Sequence, residues 1–455
     1  MSGPKVVRIV TREEIIAICN GHLARLNEAI QEWMRFCHTN GEATDDEIAA
    51  TLARQSALAK LLAEDRFVEL QKAVPAEIEF LKANRQTRFE RAAEKKAKAL
   101  ANQRRTEAAA AGILAALKRT GKTVSNDLRS SLEQIAAGHL TDTSAIAQAF
   151  ALLSDDKPAA VSDAQRELAS AHKENETRQT FNEWLATESQ TNSDEEFNRL
   201  DVLLARLSVV LGDEAVGDFQ ERLRSLSWQE SSRNRSLLID SLELDLAQAV
   251  SKARERNEIE QRLKMLAAEL SAVESEEAEQ FSRTIHGQLH GTLESLRELE
   301  KKAKEVLEQA VTQIGARSRR QAVLKGLAEL GYHVSEGMET AWVQDGSIVL
   351  KRTLESGYGV EISGKIDSGR VQMRTVAFRN PNKSIDSTSD RAAETTFCTD
   401  VSKLQEECAE AGNQIVIERA AEIGATPLKI ASLVDARDEE ARRFAPPVVK
   451  QRTIK

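Results

Sequence analysis

Between Pro158 and Pro381 the chain runs for 222 residues without a proline. Proline removes a backbone donor and clashes with the preceding turn of a helix, so a gap of this length leaves room for long unbroken helices. The rest of the composition points the same way. Charged residues make up 30% of the 455 positions and aromatic residues only 4%, with 21 glycines and 7 prolines. Rings usually carry much of a globular core, and all-β folds need frequent turn residues. The expected fold class is therefore mainly α. It is an elongated helical bundle or antiparallel coiled coil with a small C-terminal α+β domain, an antiparallel sheet plus two helices.

The pattern of apolar residues divides the chain further. Ile16, Cys19, Leu23, Leu26, Ile30, Trp33 and Cys37 recur at alternating steps of 3 and 4, a stripe meant to pack along another helix. Thr11 with Glu14 reads as a capping box for that helix, and Thr44 with Glu47 as one for the next, which carries Ile48, Leu52, Leu58 and Leu62. Pro75 reads as a break between segments. A thin-striped, alanine-rich helix is expected to 120, then short helices with loops at Gly121 and Gly138. Capping boxes at Ser162 and Ser193 follow the boundary at 154–158. Leu242, Leu246, Val250 and Ala253, then Ile259, Leu263, Leu266, Leu270 and Val273, mix eleven- and seven-residue steps over 232–284 and predict one long, nearly straight helix. It is expected to run antiparallel to 76–120 and to persist, kinked near Gly287 and Gly291, to about Gly315.

Beyond Gly331 the material changes, with seven glycines between 331 and 369 against five in 42–286. Asp345-Gly346 between β-forming residues signals a hairpin turn. Val360 with Ile362, and Val371 with Met373, alternate as strands, followed by a helix over 394–411, a glycine stop at Gly412 and a strand at 415–417. The β-branched segment 6–10 has no local partner and is expected to cover an edge of this sheet. The segments are thus 1–75, a strand and helical hairpin; 76–120, a projecting basic helix; 121–231, a small helical bundle; 232–316, a long coiled-coil helix; 317–435, the α+β domain; and 436–455, a tail.

Sequence motifs for chemistry fail one by one. Gly121-Lys122-Thr123 lacks the first glycine of a phosphate loop, since position 116 is Ala116. Gly357 and Gly359 are followed by Ile362 where a dinucleotide fingerprint needs glycine. His286 and His290 share a helix face with no third ligand nearby, and Cys398 and Cys408 lie about 280° apart around a helix. Cys19 and Cys37 are about 27 Å apart along one helix and cannot pair. No catalytic residue, metal ligand or cofactor is assigned, and the expectation is a non-enzymatic protein. The first residues carry no apolar signal core, and Ala108–Leu117 is the longest uncharged small or apolar run, far short of a bilayer span. A cytoplasmic protein without membrane contact is expected.

What remains is charge. The chain is −9 overall, yet 82–122 holds twelve bases against Glu90, Glu94 and Glu107. Arg88, Arg91, Lys95, Lys98 and Arg105 fall on or beside one stripe, a candidate contact surface for phosphates or for a partner. The competing readings are a solvated face, or a face packed on the protein's own acids such as Glu274, Glu276, Glu277 and Glu279. The function expected is a coiled-coil scaffold or adaptor that positions the α+β domain for protein partners, as an accessory subunit of a bacterial multiprotein system. The stripes also offer self-association, and the alternative is a nucleic-acid-associated factor contacting phosphates through 82–122.

Overall fold

The computed structural model describes residues 4–140, 143–154, 192–227, 233–353, 357–364, 368–378 and 387–431. The boundary at 154–158 lies for all but its first residue outside them, and the Ser162 box and the tail 436–455 lie outside altogether. Twelve α-helices and a small, largely antiparallel sheet make up the described part, and none of the helices is long and apolar enough to cross a membrane. The chain forms two compact units: 1–30, 49–78 and 261–455 in the first, 31–48 and 79–260 in the second.

The N-terminal helices are α1 (Arg12–Asn40), α2 (Asp45–Ala63) and α3 (Phe67–Thr120). The 3-4 stripe of α1 is buried at Cys19, Leu26, Ile30, Trp33 and Cys37, while Ile16 and Leu23 are half-buried. The capping box at Thr44 forms as expected: Thr44 N–H donates to Glu47 Oε2 (3.0 Å) and Glu47 N–H to Thr44 Oγ1 (3.4 Å). The one at Thr11 does not. Thr11 Oγ1 is buried without a partner, Arg12 N–H donates to Asn413 Oδ1 (2.9 Å), and Glu14 turns instead to Arg319. A buried guanidinium outcompetes one backbone N–H for the carboxylate. In α2 Thr51 is buried, Ile48, Leu58 and Leu62 are half-buried, and Leu52 is exposed. Pro75 does not break the chain either; it lies inside α3. The break falls at Glu64–Arg66, where Asp65 takes φ +56°.

Short helices α4 (Asn126–Ala136) and α5 (Ser144–Ser154) close around α3, burying Leu132, Ile135 and Ile146 against Ala110, Ile113 and Leu117. Then come α6 (Asn192–Leu211), α7 (Gly217–Ser227) and α8 (Arg233–Ala272). Phe197, Leu200, Leu204, Leu242, Leu246 and Val250 form a second core in the helical unit. There α3 and α8 run antiparallel: Arg254 covers Phe89, while Arg104 and Arg235 both stack on Phe197. These stripes are filled by the chain's own side chains. The single helix expected over 232–284 is divided, because Ser275 caps α9 (Glu276–Gln288) by accepting from Ala278 N–H. A further helix, α10 (Leu293–Glu329), passes straight through Gly315.

The sheet belongs to the first unit. Its strands are β1 (Lys5–Val10), β2 (Ser347–Lys351), β3 (Tyr358–Ser363), β4 (Arg370–Ala377), β5 (Gln414–Ala420) and β6 (Lys429–Ile430). Their order is β2-β3-β4-β1-β5, antiparallel throughout, with β6 parallel to β4. The N-terminal strand joins the sheet as expected but is interior, between β4 and β5, rather than covering an edge. Two helices cover one face, α10 and α12 (Ser387–Glu410). Val7, Ile9, Leu350, Val360, Ile362, Val371 and Met373 meet Val323, Leu327, Phe397, Val401 and Leu404 there. Gly326 lets α10 approach, since a Cβ would fall 2.3 Å from a Leu404 methyl carbon. Asp345-Gly346 is not a hairpin turn. Trp342 lies in a short helix, α11 (Met338–Asp345), and Gly346 at φ +67° closes it by donating to Trp342 O (3.0 Å). The same dipeptide suits either role because both need a positive φ.

Candidate functional site

The basic helix was the sequence's strongest candidate, and α3 disperses its charges. Arg88 is buried: it donates to Glu47 (2.7 Å) and Asn84 Oδ1 (2.7 Å) and stacks over Trp33. Thr44 N–H and Arg88 together hold the Glu47 carboxyl below the usual carboxylate range. Lys96 donates to Ser208 Oγ and to Asp213 Oδ1, both at 2.6 Å. Arg104 pairs with Asp201 at 2.8 Å; burial pushes the Asp201 carboxyl up despite the guanidinium beside it. Lys122 reaches the carbonyls of Leu152 and Leu153 at the end of α5, where a cation complements the helix dipole. The acids that receive these cations come from α2, α6 and the loop after α6. Glu279, named among the acids from sequence, pairs with Arg283 of its own helix.

Three of the five stripe residues remain on the surface. Arg91 and Lys95 are exposed, Lys98 is exposed and pairs with Glu94 one turn earlier (2.7 Å), and Arg105 is half-buried. Phe89, the one ring in the run, is covered by the Arg254 guanidinium 4.6 Å from its centroid and cannot stack on a base.

A second basic surface lies on the sheet face turned away from α10 and α12. Strand pleating sends alternate side chains to opposite faces. Val7, Val371 and Ile415 point into the core, so Arg8, Arg370 and Val416, the residues between them in register, point out. Arg374, Arg419, Lys351 and Lys429 share that face. Among the described residues, two carboxylates stand against these six cations. Glu361 accepts from Arg374 and from Lys429 (2.7 Å), and Glu418 from Arg370 (2.9 Å). Burial opposes ionisation of Glu361, but the two donors prevail and hold its carboxyl below the usual range. Arg8 lies directly opposite Arg370 across the β1–β4 ladder, a like-charge pair that Glu418 offsets by accepting from Arg370.

None of these face residues stood out in the sequence. The alternation Arg370-Val371-Gln372-Met373-Arg374 was visible, but pairing Arg8 with Arg370 across hundreds of residues needed the register. His286 bonds its own helix through Ser282 O, and no group of three potential ligands gathers among the described residues. No family model, no curated protein and no solved structure matches this chain.

Proposed function

We propose that this protein acts by binding rather than by catalysis, as a docking subunit whose α+β part receives an acidic partner protein on the open face of its sheet. The observation carrying this reading is the register of Arg8 against Arg370 within a face that holds six cations and two carboxylates among the described residues. Guanidinium groups match carboxylates in planar pairs. The face also mixes in Gln372 and the exposed Val416, with Phe378 of the same face buried, so it offers polar and apolar contact but no ring for stacking bases. The helical framework then serves to present this surface within a larger assembly.

The alternative, nucleic acid along α3, retains Arg91, Lys95 and Lys98 as its contacts. Fluorescence anisotropy of the full chain with a labelled glutamate-rich peptide and a single-stranded DNA of equal charge separates the two. The docking reading expects the peptide to bind, and the double variant Arg8→Glu, Arg370→Glu to lose it while still melting cooperatively. DNA binding that survives that variant and disappears with Arg91→Glu, Lys98→Glu replaces it with the phosphate reading.

A further inference from the structure

Lys5 is an unusual lysine. It stands on the covered face of β1, in register with Met373 and Ala420, and only 3% of it reaches solvent. A buried ammonium ordinarily sits on a carboxylate. Lys5 forms no ion pair among the described residues. Its Nζ donates instead to the sulfur of Cys398, 2.9 Å away on α12, and lies 5.4 Å from the centroid of the Phe397 ring.

The four cysteines differ in a way that singles this one out. Cys19, Cys37 and Cys408 are buried, and burial pushes all three thiols up, that of Cys408 to about 11 with Glu407 and Glu329 adding to the effect. Thiols of that kind are poor nucleophiles. Cys398 alone is partly open to solvent. Of the four thiols it offers an oxidant the most open approach, and the nucleophile beside its sulfur is the Lys5 amine. Sulfenic acids condense with nitrogen when one is held in place.

We propose that Lys5 and Cys398 are an oxidant-dependent crosslinking site, closing a covalent sulfur–nitrogen bond between β1 and α12. Hydrogen peroxide oxidises the Cys398 thiol to a sulfenic acid and is itself reduced to water. The Lys5 amine nitrogen then attacks the sulfur. The N–S bond forms, the S–O bond breaks, and the departing oxygen leaves as a second water with the amine proton and the acid. The product has lost two hydrogens overall. Dithiothreitol reverses it, regenerating thiol and amine as the reductant becomes its cyclic disulfide. The bond ties residues 393 apart in sequence and locks the interior strand of the sheet to the helix above it.

Peptide mapping of the full chain decides the matter. After brief peroxide treatment, alkylation of free thiols and tryptic digestion without reductant, the peptide Ala392–Lys403 should appear joined to the one ending at Arg8, with Lys5 uncleaved and two hydrogens missing. Cys19, Cys37 and Cys408 should be recovered alkylated once the protein is unfolded, as controls within the same sample. Lys5→Arg and Cys398→Ser should each abolish the joined peptide, and dithiothreitol should remove it from the parent. The oxidised parent should melt several degrees above its reduced form, and neither variant should show that difference. Recovery of Cys398 as free thiol, sulfinic acid or a disulfide, with normal cleavage after Lys5, overturns the proposal on the parent protein alone, whatever the variants do.

Discussion

The basic helix α3 and the outer sheet face both gather positive charge, and they differ in where the partners of that charge come from. On α3, Arg88, Lys96 and Arg104 are drawn inward onto Glu47, Asp213 and Asp201, and guanidinium groups stack on Trp33 and Phe197. A helix presents residues in every direction, so one surrounded by others turns much of its charge into internal pairs. On the sheet, pleating commits every second residue to the outer face, where Arg370 pairs with Glu418 and Lys429 with Glu361 from neighbouring strands, while Arg8 is exposed. Density of basic residues along a sequence thus marked the region where charge is structural. The outer sheet face, by contrast, draws its cations from five strands that lie far apart in the sequence.

The comparison can be broken most forcefully at the sheet's core. Phe397→Ala removes a fully enclosed ring between α12 and the strands and should cost about 3–5 kcal/mol in denaturant melts. Arg104→Ala tests whether charge on α3 is structural. It leaves the Asp201 carboxylate buried without its partner and should cost about 3 kcal/mol, since truncating one side of a buried pair strands the other. A loss near zero would mean that the pair is ornamental and would return α3 to the list of contact surfaces.

Acid titration should distinguish the two regions by sign. The Glu361 carboxyl lies below its ordinary 4.5 in the folded protein, so its contribution is present above that pH and is lost as pH falls through the folded value. Asp201 is raised above its ordinary 3.8, so its contribution is present below that pH and is lost as pH rises through the folded value. Melting curves across the acid range should show Glu361→Gln losing less stability than the parent on acidification, and Asp201→Asn losing more. The smallest effects belong to exposed charges. Lys98→Glu breaks only a solvated pair with Glu94 and should stay within about 1 kcal/mol of the parent. Arg8→Gln removes a like-charge neighbour of Arg370 and should raise stability by about 0.2–1 kcal/mol. A fall there instead would show that Arg8 has a stabilising partner and that the face is not strained.

Much of the fold was legible. The 3-4 stripe of α1, the alternation in β3 and β4, and the stop at Gly412 each express a local period or a backbone requirement that neighbouring residues alone can state. Breaks were less so. Glu64-Asp65-Arg66 contains neither glycine nor proline, yet it ends α2, while Pro75 is absorbed by α3 because the surrounding packing outweighs one lost hydrogen bond. Thr11 and Glu14 formed a plausible box until Arg319, three hundred residues on, claimed the carboxylate.

Amino-acid order by itself determined the predominance of helix and the presence of a sheet module at the C-terminal end, because hydrophobic period and turn chemistry act over a few residues. It also supplied the net charge of each segment. Only the tertiary structure decided which charges are spent internally, that β1 is an interior strand, that Arg8 faces Arg370, and that Lys5 rests on Cys398. Each of those is a meeting of residues dozens to hundreds apart, set by strand register and helix packing, and no local pattern encodes the partner.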